Sequence, residues 1–321
     1  MFINDLYQEK TLLQKIQKTH LQKMHTPDNP SGILVCQKKD NDYRWLIKDL
    51  HDGRLVTSPL RKTDKQLAEK LAVNLYRIIC IQHLQIQIDT INSTIRCLES
   101  GKQSKFPLDN ILPNHPFKDL LNNFRRRPQS PADFFDLNSP YRQFILSHLQ
   151  SEYSWVIEWY LNPYKKNPDH PEQLIFPVKL GFKVRSKSEV LIADRLYEEG
   201  ILYHYEEQLI LSDHSSYPDF NIPITLYRKY AWEHFGAMDK PLYFNRTRGR
   251  IMDYLDHQWL PGINMLTTYE TKQNPLTEEQ VDHVISWIES RYRLAFPDIP
   301  PDKSFNMYDL AAYVKSQRGS Q

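Results

Sequence analysis

The chain has 321 residues, of which 40% are apolar and 25% charged, and its net charge is +2. That balance fits a soluble globular chain of up to two ordinary domains and excludes a global attraction for polyanions, so a nucleic-acid protein built this way must concentrate positive charge locally. Three cysteines, Cys36, Cys80 and Cys97, have no paired spacing, which excludes a disulfide framework and fits reduced thiols in a cytoplasmic protein. No apolar run reaches transmembrane length and Met1 to Asp5 begins nothing like a secretory signal, so no membrane partner is expected. The twelve histidines show no zinc-type pairing along the sequence, which argues against a structural zinc.

Residues 3–25 read as a helix, with Leu6, Leu12, Leu13, Ile16, Leu21 and Met24 forming an apolar stripe. The stripe suits packing on its own domain better than a coiled-coil arm. A hairpin follows, Ile33 to Cys36 and Tyr43 to Ile47 around a turn at residues 39–42, with Leu55-Val56 offering a third strand. Thr63-x-x-Gln66 reads as a capping box opening a long helix to about Leu98. Residues 1–103 thus form a helix, hairpin and long-helix region whose role is open: DNA grip, homodimerisation or docking of a protein partner.

Residues 104–172 read as a proline-rich connection followed by a helix. Arg125-Arg126-Arg127 is the densest basic run, suited to a phosphate contact, although a solvated surface run is the favoured reading. In the helix over 140–160, Trp155 and Trp159 stand four apart on one face and are expected in the core rather than as a stacking platform for bases.

Residues 173–321 carry the chemistry. Ser186-Lys187-Ser188-Glu189 fits a capping box that opens an amphipathic helix. Ile201 to Leu211 has strand character, Tyr217-Pro218-Asp219-Phe220 suits a strand start, and Lys229 to Gly236 reads as a strand ending on glycine. A helix over 242–259, a strand over 263–269 and a last helix capped by Thr277-x-x-Gln280 follow, then a tail with one apolar patch at Leu310 to Val314. Each acid has a structural reading: Glu189 as the capping glutamate, Asp219 as a turn residue. Glu233, between Trp232 and His234, is harder to set aside, because a carboxylate in an apolar strand is costly unless paired or metal-bound. Carboxylates converging from separate elements make a hard oxygen site suited to Mg²⁺ or Mn²⁺.

In this order, Glu, Pro-Asp, Glu, the motifs RSKSE, YPDF and WEHFG resemble the PD-(D/E)XK nuclease superfamily, and in particular a subgroup of small bacterial proteins. The likeness spans roughly residues 176–290. It implies an α/β fold with a restriction-endonuclease-like αβββαβ core, a mixed sheet flanked by helices, and Mg²⁺-dependent (or Mn²⁺-dependent) hydrolysis of phosphodiester bonds. It also implies nucleic acid, DNA in the favoured reading, as the partner. By resemblance, Asp219, Glu233 and the backbone carbonyl of His234 would hold the metal, with Glu189 acting directly or through water. Glu206 matches a further glutamate of the subgroup, as a second-metal or supporting residue, or as an ordinary exposed strand acid. Fold analogy alone suggests a setting of phage defence or mobile-element processing.

One departure stands out. The family places lysine two residues after the strand acid, and here that residue is Phe235. His234 should point to the opposite face. Arg250, with Lys240 as second choice, is the expected replacement cation, although arginine is too basic to act as general base. Nucleic-acid contacts are expected from Lys183, Arg185 and Lys187 near the helix start, and from Arg246. The alternative reading is a non-catalytic nucleic-acid-binding or scaffold protein on a nuclease-like fold.

Overall fold

A computed structural model describes residues 2–40, 42–100, 118–121, 127–226, 228–300 and 303–318. Most of the proline-rich connection, with Arg125 and Arg126, lies outside the described residues. No helix among the described residues is long and apolar enough to cross a membrane. The chain divides into two compact units, Met1–Glu152 with Phe296–Phe305, and Tyr153–Ala295 with Asn306–Gln321. The division therefore falls within the stretch read as one helix over 140–160, which breaks at Tyr153 into Arg142–Glu152 (α4) and Ser154–Leu161 (α5).

In the first unit, Phe2–Met24 (α1) lies against Lys65–Ser100 (α2), and Leu12, Leu13 and Ile16 interlock with Leu84 and Ile88. The apolar stripe of α1 is therefore spent on its own unit, as the packing reading expects. Ile33–Lys39 (β1), Asp42–His51 (β2) and Arg54–Pro59 (β3) form an antiparallel sheet in chain order. Its second turn is Asp52-Gly53, with φ of 50° and 71°, the paired left-handed geometry that matches strand twist in a two-residue hairpin. A short helix, Lys118–Leu121 (α3), also belongs to this unit. Asp298, fully buried, anchors the 296–305 segment here through Lys23 at 2.9 Å, with His20, His148 and Arg77 between 3.4 and 3.8 Å.

The second unit is built on a four-stranded mixed sheet. Its strands are His204–Tyr205 (β6), Phe220–Thr225 (β9), Arg228–Phe235 (β10) and Met265–Tyr269 (β11), in the order β11-β10-β9-β6. Strands β9 and β10 pair antiparallel, as do β6 and β9, while β10 and β11 run parallel. A parallel pair needs a crossover, and Pro241–Asp256 (α7) supplies it. Lys187–Glu198 (α6) precedes the sheet, and Glu278–Ala295 (α8) and Met307–Arg318 (α9) follow it. Phe176–Pro177 (β4) and Lys183–Val184 (β5) form a small separate pair ahead of α6.

Two expectations are corrected. The strand over 201–211 is broken: β6 holds only His204–Tyr205, Glu206 turns left-handed at φ 52°, and Leu209–Ile210 (β7) pairs with Ser215–Ser216 (β8) as a separate hairpin. Trp155 and Trp159 are only half-buried, because α5 turns Val156 and Ile157 to the core; Trp159 stacks on His204 with ring centroids 3.9 Å apart. The apolar patch at Leu310 to Val314 lies in α9, whose start is fixed by Asn306, accepting from the Asp309 amide, while Asp309 accepts from the Asn306 amide.

Candidate active site

Glu189 sits in the first turn of α6. Ser186 caps that helix, accepting from the Glu189 amide at 3.1 Å and donating to Glu189 Oε1 at 2.9 Å, so the capping reading is correct. Capping does not exhaust the side chain: Glu189 Oε2 also accepts from the Tyr205 hydroxyl at 2.6 Å, in from β6. The buried carboxylate is thereby tied to the sheet as well as to its own helix.

Asp219 precedes β9, and its Oδ2 accepts from the His234 amide at 2.6 Å. Its surface is only half covered, yet desolvation pushes its carboxyl well above the usual range, and the negative charges of Glu233 and Glu189 push it further. Glu233, 1% exposed on β10, is likewise raised by burial, and Glu189 and Glu206 add to that against the opposing pull of Arg250 and Tyr254. The three acids that are separated in sequence by 30 and 14 positions thus feel one another in a single low-dielectric pocket.

Helix α7 covers this face. Arg250 Nη2 lies 2.7 Å from Glu233 Oε1 and donates to the Tyr217 carbonyl at 2.7 Å, and Tyr254, one turn on, donates to the same Glu233 oxygen at 2.5 Å. Glu233 Oε2 is buried with no hydrogen-bond partner. Phe235, at the family's lysine position, is core instead: it packs with Tyr254 and Met265 and stacks on Tyr269. The cation therefore reaches Glu233 from the helix, not from the strand. Lys240, the second choice, is the exposed residue before α7. His234 points to the opposite face as expected, with Nδ1 3.0 Å from Thr268 Oγ1 and Nε2 3.4 Å from Glu270 Oε1.

Glu206 is buried, so the exposed-acid reading does not hold. It is paired with Arg185, Nε to Oε1 at 2.5 Å and Nη2 to Oε2 at 3.1 Å. Arg185 also donates to the carbonyls of His170 and Asp169, so four of its five N–H groups are taken up within the unit. Lys183, Lys187 and Arg246 are exposed.

An orphaned buried carboxylate oxygen beside two further acids is a donor set that fits a hard divalent ion. The acids are turned onto protein donors and do not close to ligand spacing. Among the described residues, the group with ligand atoms all within 4.8 Å of one another is Asp213, His214 and His257. Sequence reasoning missed that group, and also Tyr205 and Tyr254. Tyr254 had a signal, since it stands four residues after Arg250 on the same helix face. Comparison with family models, with curated proteins and with solved structures finds no match to this chain.

Proposed function

We propose that the chain is a divalent-cation-dependent nuclease of the PD-(D/E)XK type that hydrolyses phosphodiester bonds, with DNA as the favoured substrate. The observation that carries this reading is the convergence of Glu189, Asp219 and Glu233 from α6, the start of β9 and β10 on one end of the sheet, where Asp219 accepts from the amide next to Glu233 and Glu189 accepts from Tyr205 of β6. The element order α6, β6, β9, β10, α7, β11 supports it, because it is the αβββαβ order the motifs imply, with the β7–β8 hairpin as an insertion.

Asp219 and Glu233 would hold the metal, with the His234 carbonyl and Glu189 completing the set. When bound, the ion supplies Lewis acidity and lowers the pKa of an attacking water. Tyr205, the capping serine and the Arg185 amide hold the Glu189 carboxylate in one orientation. Arg250, anchored on the Tyr217 carbonyl, neutralises part of the Glu233 charge and presents a guanidinium edge suited to a phosphate oxygen. Lys183, Lys187 and Arg246 give exposed positive charge on the elements flanking the acids and would grip the backbone of the substrate.

The test is cleavage of labelled linear, circular and single-stranded DNA and of RNA with Mg²⁺, Mn²⁺ or EDTA, beside Asp219→Asn and Glu233→Gln. Metal-dependent cutting that both variants lack supports the reading, and cutting by either variant at the wild-type rate overturns it. A second reading, a non-catalytic binding protein, is favoured by one observation: Phe235 fills the lysine position with core packing. It predicts salt-sensitive nucleic-acid binding without cleavage.

A further inference from the structure

Away from the three acids, the turn between β7 and β8 and the last turn of α7 bring four polar side chains together. His257 Nδ1 lies 2.7 Å from the Asp253 carbonyl oxygen, which can only accept, so that nitrogen carries the proton. Its Nε2 faces Asp213 Oδ1 at 3.2 Å, a second acceptor. His214 repeats the arrangement in mirror fashion. Its Nε2 is 3.0 Å from Asp253 Oδ2, again an acceptor, and its Nδ1 faces the same Asp213 oxygen at 2.6 Å. Each imidazole thus faces an acceptor on both nitrogens, a demand its one proton cannot meet and that either a second proton or a cation seated on the Asp213 side must answer.

We propose that Asp213 Oδ1, His214 Nδ1 and His257 Nε2 bind a divalent transition ion of the zinc class, with Asp253 as the outer partner that fixes both imidazoles. The pattern is that of metal-bound histidines generally: the ligating nitrogen faces the ion while the other donates to a carboxylate or a backbone carbonyl. Mixed imidazole and carboxylate donors select zinc-like ions over Mg²⁺, which prefers oxygen alone. Ligand bonds of about 2.0–2.2 Å put tetrahedral ligand atoms about 3.3 Å apart. The Asp213–His257 separation already matches, and Asp213, 75% exposed on its turn, is free to withdraw from His214 by the remaining fraction of an ångström. The open side leaves room for water as the fourth ligand.

The ion would clip the β7–β8 hairpin to α7. That hairpin runs directly into Tyr217 and Asp219, and Ser216 Oγ shares a hydrogen bond with the Tyr254 hydroxyl at 2.8 Å. The clip therefore acts on the segment that delivers Asp219, yet its ligands are distinct from the three acids, and it stands whether or not those acids cut nucleic acid.

The full chain, stripped with EDTA, is dialysed against limiting Zn²⁺ in a large excess of Mg²⁺ and its zinc content measured; Co²⁺ is titrated in parallel and followed by visible absorption. One zinc per chain is expected, retained by Asp219→Asn/Glu233→Gln. His257→Ala should bind more than about 100-fold more weakly and lose the Co²⁺ bands, and Asp253→Asn about 10-fold more weakly. Asp213→Ala, at an exposed turn where folding is not at stake, gives the same loss without the helix. No zinc retained by the wild type, equal zinc in wild type and Asp213→Ala, or loss in Asp219→Asn/Glu233→Gln instead, each overturns the site.

Discussion

Replacing Arg250 with methionine tests the electrostatic core of the site without depending on any activity. The guanidinium is 2.7 Å from Glu233 Oε1, and the Glu233 side chain is 1% exposed, so the substitution leaves a buried carboxylate served only by the Tyr254 hydroxyl. It also strips the Tyr217 carbonyl of a donor. Breaking a fully buried pair in this way costs about 3–5 kcal/mol. The Arg250 side chain is 39% exposed, however, so water screens the pair and the cost drops to about 2–3 kcal/mol. At about 2–4 °C per kcal/mol for a unit of this size, the melting temperature should fall by roughly 5–10 °C. Calorimetry of the full chain reads this directly. Glu233→Gln/Arg250→Met removes the orphaned charge together with its partner and should recover most of the loss, while Arg250→Lys should fall between. If Arg250→Met melts like the wild type, or the double variant is no more stable than the single one, Glu233 and Arg250 do not form the buried pair described.

Asp219→Asn should melt a few degrees higher than the wild type in EDTA, since amide for carboxylate removes repulsion from Glu233 and Glu189 and keeps the acceptor for the His234 amide; a lower melting point would contradict the coupling. In the first unit, burial holds His20 down at about 4 against an ordinary 6.5, despite the nearby Asp298. The unfolded chain then binds the proton first as pH falls, so this stability is complete above about 6.5 and is lost through about 4, an amount on the order of 3 kcal/mol. Urea midpoints between neutral and acid pH should show that loss, and His20→Gln should flatten it; a flat wild-type profile refutes the assignment. Gly200 ends α6 at φ 68°, and an added Cβ would stand 2.8 Å from the Asn306 side chain that caps α9. Gly200→Ala should therefore cost on the order of 1–3 kcal/mol in chemical denaturation, and an unchanged midpoint would show that the turn relaxes freely.

Local signals carried the sequence reading furthest. The Thr277–Gln280 box is made in full, with Thr277 N on Gln280 Oε1 at 3.0 Å, and Ser186 caps α6 while Glu189 reaches back to the Arg185 amide, because capping needs only neighbours in the chain. The strand at Ile201 to Leu211 failed for the opposite reason. Its residues have strand composition, but Glu206 must turn left-handed to meet Arg185, a partner 21 positions away that no window of sequence contains. The Asn306–Asp309 box at the head of α9 is as local as those two caps, with only two residues between its partners. At the site, strand alternation placed Glu233 and His234 on opposite faces, and Arg250 was reached through the resemblance, as the cation on the following helix. Tyr205 and the Asp213–His214–His257 group were out of reach, since 42 positions lie between the last two and only the fold closes them.

The charge balance of the pocket adds a step that no motif supplies. Glu189, Glu206, Asp219 and Glu233 bring four carboxylates to one end of the sheet, and Arg185 and Arg250 bring two guanidiniums. The Glu206–Arg185 pair closes on itself, with both guanidinium edges satisfied by carboxylate and carbonyl oxygens. The remaining acids share the single charge of Arg250, which eases Glu233 and Asp219 without bringing either back to the ordinary range. With the acids ionised, what is left over equals the charge of one divalent ion. A fold maintained for stability alone gains nothing from such a surplus, because replacing one acid by its amide would relieve it. On the proposed reading a divalent cation would balance that surplus, with the orphaned Glu233 oxygen as one of its donors.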